Sequence, residues 1–369
     1  MTAARPDRVL TQNALTGAWM ALALPVVGLE YGDELNGPGS LSGKLSPHLV
    51  ASDPMAVDPG NTLIYVESAG QLQWGGLIWD IRASGNDYSI EAASWSSYLQ
   101  KRYDLDGEHG GRGPYTYMDR CQVIRNIWTY AQSIADGNLG VTVDSTTSTS
   151  TVGTPADVYH SNWWENPCLG NQVDDMVSGD ATPDYTCATS WNTARTDVVK
   201  RIRLGWPRLG TRRTDIEFTS GVNIIEEPED ALSGDDYAQA VVASGAGEGR
   251  SRLRQFSIVR NGRLRHEAVL DLPDVNGNDL LKGRADEERT WRQTTIRGSV
   301  DQVTIRDTPA APFGSYQIGD DVYTRVHDAW TSYTGWSRIT GWTRKPQAKG
   351  GPQTVVTLKP ADSYQYGGV

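Results

Sequence analysis

Short β-rich runs separated by turn residues occupy both ends of this chain and constrain its fold more than any other feature. Near the start, three runs mix β-branched and aromatic residues with small or polar ones: residues 63–67, 72–82 and 88–92. Near the end, four further runs have the same character: residues 302–306, 319–326, 335–344 and 353–359. This pattern predicts a strand-rich protein.

The two ends also resemble each other. In the first, a short run at 64–66 leads to a longer run at 76–82 that contains Trp79, and then to a strand. In the second, a run at 322–324 leads to a longer run that contains Trp342, and again to a strand. Two interpretations remain open: a duplicated β domain, or two unrelated β-meanders that look alike by chance.

Helical spacing is confined to the middle of the chain. The clearest helix is predicted over residues 119–134, where Asp119 suits the N-cap and apolar residues follow on one face. A charged helix is predicted over residues 277–293, and residues 192–202 favour a third. The middle region is therefore expected to be mixed α/β.

Glycine-containing pairs predict two turns. Gly75-Gly76 interrupts the run at 72–82 and favours a turn there. Asn261-Gly262 lies between two β-rich runs, which is a strong signal for a β-hairpin.

Two stretches lack periodicity. Residues 141–158 are rich in Ser and Thr, which is typical of a loop or linker. Residues 161–190 are predicted to form an exposed, irregular excursion that carries Trp163 and Trp164. Adjacent Trp residues can stack on sugars or pack in a core or subunit interface, so Trp163 and Trp164 are candidate contacts for a partner protein or a glycan.

The sequence lacks the common motifs of catalytic and metal-binding sites. None of the five His has a metal-ligand spacing, and no GxSxG nucleophile motif is present. Acidic pairs such as Glu226-Glu227 and Asp235-Asp236 are adjacent, so on a strand their side chains would diverge rather than act together. We therefore expect no enzyme activity, no catalytic residues, no cofactor and no metal site.

Charge and cysteine content limit the partners further. The formal net charge is −11, without a basic footprint for stable nucleic-acid binding. No apolar run reaches the length of a membrane span, and no signal peptide is expected. The odd number of Cys leaves open whether Cys168 and Cys187 pair.

Segments spread along nearly the whole chain resemble one family, the tail-tip or baseplate hub proteins of siphophages, often called minor tail proteins in phages of actinobacteria. The resembling segments are 88–102 (YSIEAASWSSYLQKR), the helix at 119–134, 221–225 (GVNII), 237–249 (YAQAVVASGAGEG), 319–322 (GDDV), 338–341 (RITG) and 357–360 (TLKP). Their order and spacing carry the resemblance, since each segment alone is short.

The resemblance implies an α+β, strand-rich fold with two similar β-barrel-like domains flanking a mixed α/β middle region. The implied domains are residues 1–110, residues 111–294 with irregular loops at about 141–190, and residues 295–369. It also implies a homotrimer with pseudo-sixfold symmetry around a DNA exit channel at the virion tail tip. The implied partners are the tail tube, tip or central fibre proteins and the tape-measure protein.

An alternative function remains at this stage: a carbohydrate-binding tail protein that contacts the host cell wall through its Trp residues.

Overall fold

A computed structural model describes residues 7–46, 48, 57–85, 87–178, 182–226, 234–273, 275, 277–294, 300–327 and 332–361 of the chain, except the side chains of residues 280 and 294. Its strands are β1 Arg8–Asn13, β2 Trp19–Leu24, β3 Val27–Glu34, β4 Ser40–Leu45, β5 Thr62–Ser68, β6 Gln71–Ser84, β7 Asp87–Ser94, β8 Met118–Asp119, β9 Val141–Val143, β10 Thr151–Val152, β11 Asp184–Trp191, β12 Val198–Gly205, β13 Arg212–Thr219, β14 Ile224–Glu226, β15 Ala240–Ser244, β16 Arg254–Ile258, β17 Glu267–Asp271, β18 Gln302–Arg306, β19 Asp321–His327, β20 Ser332–Lys345 and β21 Gln353–Pro360. Its helices are α1 Glu108–Gly111, α2 Arg120–Ser133, α3 Leu169–Val177 and α4 Asn278–Thr294, with 3-10 turns at Trp95–Lys101, Trp163–Glu165 and Gly249–Ser251.

Thirteen of the described strands form one sheet, in the order β14-β18-β21-β20-β3-β4-β7-β6-β5-β1-β2, with β19 beside β20 and β13 beside β19. Most neighbours are antiparallel; β13 and β19 are parallel. The predicted strand-rich α+β class is therefore confirmed. The two barrel-like domains are not, because this sheet is open at β14 and β2 and no closed barrel forms among the described residues.

The sheet contains the same six-strand order twice. In chain order, the first repeat is β1, β3, β4, β5, β6 and β7, and the second is β13, β14, β18, β19, β20 and β21. In both, the second strand pairs with the third, the third with the sixth, the sixth with the fifth, the fifth with the fourth, and the fourth with the first. The repeats differ in one pairing, since β1 is antiparallel to β5 whereas β13 is parallel to β19.

The chain divides into a larger unit, 1–226 with 302–325 and 334–369, and a smaller unit, 227–301 with 326–333. In the smaller unit, α4 packs on the sheet β16-β15-β17 through buried residues that include Val241, Leu281 and Ala285. The predicted helix over 277–293 is thus confirmed. The longer segment of the smaller unit, residues 227–301, lies in the chain between the second and third strands of the second repeat.

Strand β5 is buried on both faces and separates the two main cores of the larger unit. Leu63 and Tyr65 point into a cluster that includes α2 and α3. Ile64 and Val66 point into a second cluster, drawn from the other strands of the first repeat. This alternation follows from the two-residue period of a strand. The predicted N-cap of α2 is also confirmed, since the Asp119 carboxylate accepts a hydrogen bond from the Cys121 N–H at 2.9 Å.

The predicted turn at Gly75-Gly76 is wrong, because both residues lie inside β6. A Cβ at Gly75 would be 2.6 Å from the Trp95 ring, and one at Gly76 would be 2.2 Å from the Ala93 carbonyl oxygen. The glycines are needed for close packing rather than for chain reversal.

The hairpin predicted at Asn261-Gly262 is also wrong. Strands β16 and β17 do not pair with each other; both pair with β15, on opposite edges. The uncharged β15 takes the centre of this sheet and is largely buried, whereas the outer strands carry exposed charges such as Arg254 and Glu267.

Two further expectations about the middle region fail. The helix favoured over 192–202 is replaced by β12, whose β-branched residues Val198 and Ile202 are buried against β11. The irregular stretch at 161–190 contains α3 and most of β11, since Leu169, Val173 and Met176 lie at helical spacing and enter the core.

A buried ion pair connects distant parts of the larger unit. Arg338 on β20 is 1% exposed, and its Nη2 donates to Asp184 Oδ2 at 2.5 Å and to the Leu209 carbonyl oxygen at 3.1 Å. The same Asp184 oxygen accepts from the Leu209 N–H at 2.8 Å, and the Asn36 side-chain amide lies 3.5 Å from its other oxygen. The second repeat, β11 and the turn after β3 therefore meet at one carboxylate.

We predict that Asp184→Asn lowers the free energy of unfolding by about 3–5 kcal/mol, because it removes the negative charge that the buried Arg338 guanidinium contacts at 2.5 Å. Denaturant titration of the purified chain measures this change. The matched control is Glu267→Gln, which removes an exposed partner of Arg265 and should cost less than about 1 kcal/mol. Equal effects of the two substitutions would contradict the importance of burial.

Candidate interaction surface

Four large apolar side chains are exposed on two neighbouring segments of the larger unit. Tyr103, Leu105, Trp163 and Trp164, here called the aromatic patch, are 46%, 66%, 57% and 62% exposed. The two Trp rings contact each other edge to face, with centroids 5.8 Å apart. Exposed apolar groups concentrated in one region are typical of interaction surfaces.

Backbone contacts hold the two segments side by side. Tyr103 forms a β-bridge with Cys168, and the Asp104 N–H donates to the Pro167 carbonyl at 3.0 Å. Further along, the Glu108 N–H donates to the Ser161 carbonyl at 2.7 Å. The patch therefore lies on a ladder of main-chain bonds.

Beside the patch, the chain makes a left-handed turn at α1. Glu108 and His109 have φ values of 49° and 51°, and the glycines on either side are also positive in φ. A left-handed conformation costs a non-glycine residue roughly 1–2 kcal/mol, so it persists only where neighbouring contacts impose it. A Cβ at Gly107 would lie 3.3 Å from Trp163 Cδ1, so this turn packs directly against the patch.

The carboxylate of Asp104 is one of the contacts that hold this turn. It is fully buried and accepts from the Gly107 N–H at 2.9 Å and the His109 N–H at 2.7 Å. It also accepts from the Ser161 hydroxyl at 2.5 Å, which ties the turn to the segment that bears the Trp pair. Three donors satisfy the buried charge.

His109 provides the second set of contacts and is fully buried. Its Nε2 lies 2.9 Å from Gln172 Oε1, and its Nδ1 lies 2.8 Å from the Tyr115 hydroxyl. An amide oxygen can only accept, so Nε2 carries the proton and Nδ1 accepts from Tyr115. The Tyr115 oxygen then accepts from Asn126 Nδ2 at 3.3 Å. Every group is satisfied with a neutral imidazole.

The direction of the pKa shift of His109 also favours a neutral imidazole. Burial lowers the pKa of His109; the hydrogen bond to Gln172 and the charges of Asp104 and Glu108 oppose this, while Arg112 reinforces it. Burial also raises the pKa of Tyr115, which keeps its hydroxyl protonated.

This network holds the backbone next to the aromatic patch, and it engages the Ser161 hydroxyl. Ser161 is 1% exposed, and its hydroxyl donates a hydrogen bond to the Asp104 carboxylate. The Ser161 oxygen in turn accepts a hydrogen bond from Gln172 Nε2 at 2.9 Å. A buried hydroxyl engaged in this way is not available to a substrate. Sequence reasoning identified Trp163 and Trp164 but missed their supports, for which the cluster of glycines after Asp106 was the one visible signal.

The remaining predicted features are located as follows. Cys168 and Cys187 carry free thiols, and burial raises the pKa of the Cys187 thiol to about 11. In the described part of the chain, no group of three or more His, Cys, Asp or Glu side chains is arranged to hold a metal ion. Of the described helices, none is long and apolar enough to span a membrane.

We predict that the network makes stability depend on pH. An unfolded His titrates near pH 6.5, whereas the folded pKa of His109 is lower, so the stabilisation is complete above about pH 6.5 and falls as the pH drops toward the folded pKa. Denaturant titrations between pH 7.5 and 5 measure the slope. His109→Gln should flatten it, and His48→Gln, at an exposed position, should leave it unchanged. An unchanged slope in His109→Gln would contradict this account.

Comparison with known proteins places the fold. No protein-family model matches the chain, and no curated protein matches it in sequence. Among solved structures, a tail protein from Neisseria meningitidis MC58 is similar over 98% of this chain and 100% of its own, at 13% identity and a TM-score of 0.57. The 43 kDa tail protein of prophage MuSo2 from Shewanella oneidensis is similar over 97% and 99%, at 11% identity and a TM-score of 0.61. Prophage tail protein gp18 from Listeria monocytogenes EGD-e is similar over 96% and 95%, at 10% identity and a TM-score of 0.50. The chain therefore has the fold of phage tail proteins, and the resemblance noted in its sequence is confirmed at that level.

Proposed function

We propose that this protein is a structural, non-enzymatic subunit of a long, non-contractile phage tail: a homotrimeric hub at the tail tip that surrounds the DNA exit channel. The observation that carries the proposal is the six-strand order that occurs twice in one sheet. We take the two repeats as the similar hub domains implied by the sequence resemblance. The first repeat lies within the proposed domain 1–110, whereas the second takes β13 and β14 from the proposed domain 111–294 and its other four strands from 295–369.

Two similar repeats per chain would allow a threefold ring to match a sixfold partner. Three copies of a chain with two similar repeats offer six similar positions around an axis but retain threefold symmetry. Such a ring can face a sixfold tail tube on one side and threefold tip or central fibre proteins on the other. The fold shared with phage tail proteins supports this use of the repeats.

Charge supports a passage rather than a binding site for DNA. The formal net charge of −11 disfavours stable contact with phosphates, so DNA would pass through the ring without being retained. In this proposal the neighbours during assembly are the tube, tip and tape-measure proteins.

We predict that the purified chain assembles into trimers in solution. Light scattering coupled to size-exclusion chromatography should give three chain masses at high concentration, with dissociation on dilution. A stable hexamer, or a monomer at every concentration tested, would contradict the proposed hub.

The aromatic patch is proposed as the contact with an adjacent tail protein. A hot-spot residue, often a Trp, contributes about 2 kcal/mol or more to an interface, so the double variant Trp163→Ala with Trp164→Ala should reduce incorporation into particles by roughly 30-fold with one hot spot and by roughly 1,000-fold with two. Quantitative mass spectrometry of purified particles measures this ratio. Leu264→Ala, at an 81% exposed position of the smaller unit, is the control and should incorporate normally.

The result that would favour the glycan alternative is normal incorporation of the double variant together with lost binding to host envelope polysaccharide. Equal incorporation and equal polysaccharide binding would remove the patch from both functions.

A further inference from the structure

Among the described residues of one molecule, the two repeats meet in the sheet through a single strand pairing, that of β3 with β20. Strand β20, the fifth strand of the second repeat, pairs along one edge with β21 over Ser337 to Lys345. Its other edge is shared between β19 and β3, and β3 pairs with Gly341 to Arg344. We call this β3–β20 pairing the joint. It connects the second strand of the first repeat, β3, with the later half of the fifth strand of the second repeat, β20.

The equivalent half-strand of the first repeat has no such partner. Strand β6 is also a fifth strand, and like β20 it has 14 residues. One of its edges pairs with β7 as far as Ser84, whereas the other pairs with β5 only as far as Leu77, with one more bond from Gly60 N–H to the Ile78 carbonyl. Beyond Ile78 this second edge has no strand partner among the described residues.

Burial distinguishes the two half-strands in the same way. No residue from Ser337 to Lys345 is exposed, since β3 and β21 flank this part of β20. In β6, by contrast, Asp80 and residues 82–84 are all exposed. An exposed strand edge is a template for pairing with another chain, and proteins cover such edges when they assemble.

The complementary element is β14, the second strand of the second repeat. It occupies the position that β3 has in the first repeat and pairs with β18. Within the described part of the chain it has no other strand partner, although Ile224 also forms an isolated β-bridge with Ser220. A chain with two repeats thus has one joint made internally, one acceptor half-strand and one donor strand.

We propose that β14 of one copy pairs along the free half of β6 in the neighbouring copy, and so repeats between chains the joint that β3 and β20 make within each chain. This inference rests on the proposed homotrimer and specifies its interface. The contact is heterologous, because donor and acceptor are different surfaces, and three such contacts close a ring.

Charge placement is consistent with this pairing. At the internal joint, Glu30 on the second strand forms an ion pair with Lys345 on the fifth, at 3.3 Å. At the open positions, β14 ends with the exposed Glu226, whose carboxylate accepts a hydrogen bond from the Thr304 hydroxyl at 3.1 Å. Strand β6 carries Arg82, whose side chain is 71% exposed and lies 3.5 Å from Glu91 on β7. The acid and the base are again on the second and fifth strands, respectively.

Cysteine cross-linking tests the pairing. In a Cys168→Ser background, which leaves the two buried native thiols, the double variant Arg82→Cys with Glu226→Cys is treated with a short bismaleimide. Covalent trimers are expected on denaturing gels, whereas a mixture of the two single variants should give dimers and no trimers. The matched control, Arg82→Cys with Val269→Cys at another exposed strand position, should remain uncross-linked.

A charge exchange provides an independent measurement in case the cysteines disturb folding. Arg82→Glu should raise the concentration at which trimers half-dissociate by at least tenfold, and adding Glu226→Arg should restore it. Arg265→Glu, at an exposed ion pair of the smaller unit, should have no effect.

Two negative results are distinguishable. If light scattering finds trimers but the double variant yields no covalent trimer and the charge exchange has no effect, the β14–β6 pairing is wrong and the hub proposal stands. If trimers never form, the proposed homotrimer fails, and the pairing fails with it.

Discussion

The larger unit depends on a buried ion pair between Arg338 and Asp184. A guanidinium that is 1% exposed is strongly unfavourable without a counter-charge and with unsatisfied donors, so β20, β11 and the loop containing Leu209 must all be in place together. Strand register is constrained in the same way. A slip of β20 by one residue would turn Arg338 to the opposite face and replace it opposite Asp184 by Ser337 or Ile339, neither of which carries a charge. The interaction thus couples the second repeat to the middle of the chain.

What could be predicted from the sequence depends on the range of the interactions involved. Strands β5 to β7, strands β18 to β21 and helix α2 were predictable because alternation, helical spacing and the Asp119 N-cap are local signals. Strand order was not, because β15 lies between β16 and β17 as a result of its burial, which outweighed the local turn preference of Asn261-Gly262. The similarity of the two ends was visible as a pattern, but the shared order of six strands requires pairings across more than a hundred residues.

The same contrast between local signals and long-range contacts applies to the residues of the candidate surface. Trp163 and Trp164 were identifiable because two adjacent Trp in a polar stretch are unusual. Their support was not, since Asp104, His109 and Ser161 are ordinary residues in the sequence and become a network only when α1 turns left-handed and α3 brings Gln172 to the imidazole. A buried, fully satisfied polar network holds a conformation that the local sequence alone would not adopt. The exposed Trp pair is therefore presented from a rigid base.

In the proposed hub, the repeat connects these features to a single assembly: two similar six-strand repeats per chain, three chains per ring and, among the described residues, one donor strand and one acceptor half-strand with an open edge in each chain. Cryo-electron microscopy of intact phage particles is the most direct measurement of this account. We expect three copies of the chain in one ring at the tail tip, with six repeats arranged around the channel. A ring of six copies, rings repeated along the tube, or the absence of the chain from particles would contradict it.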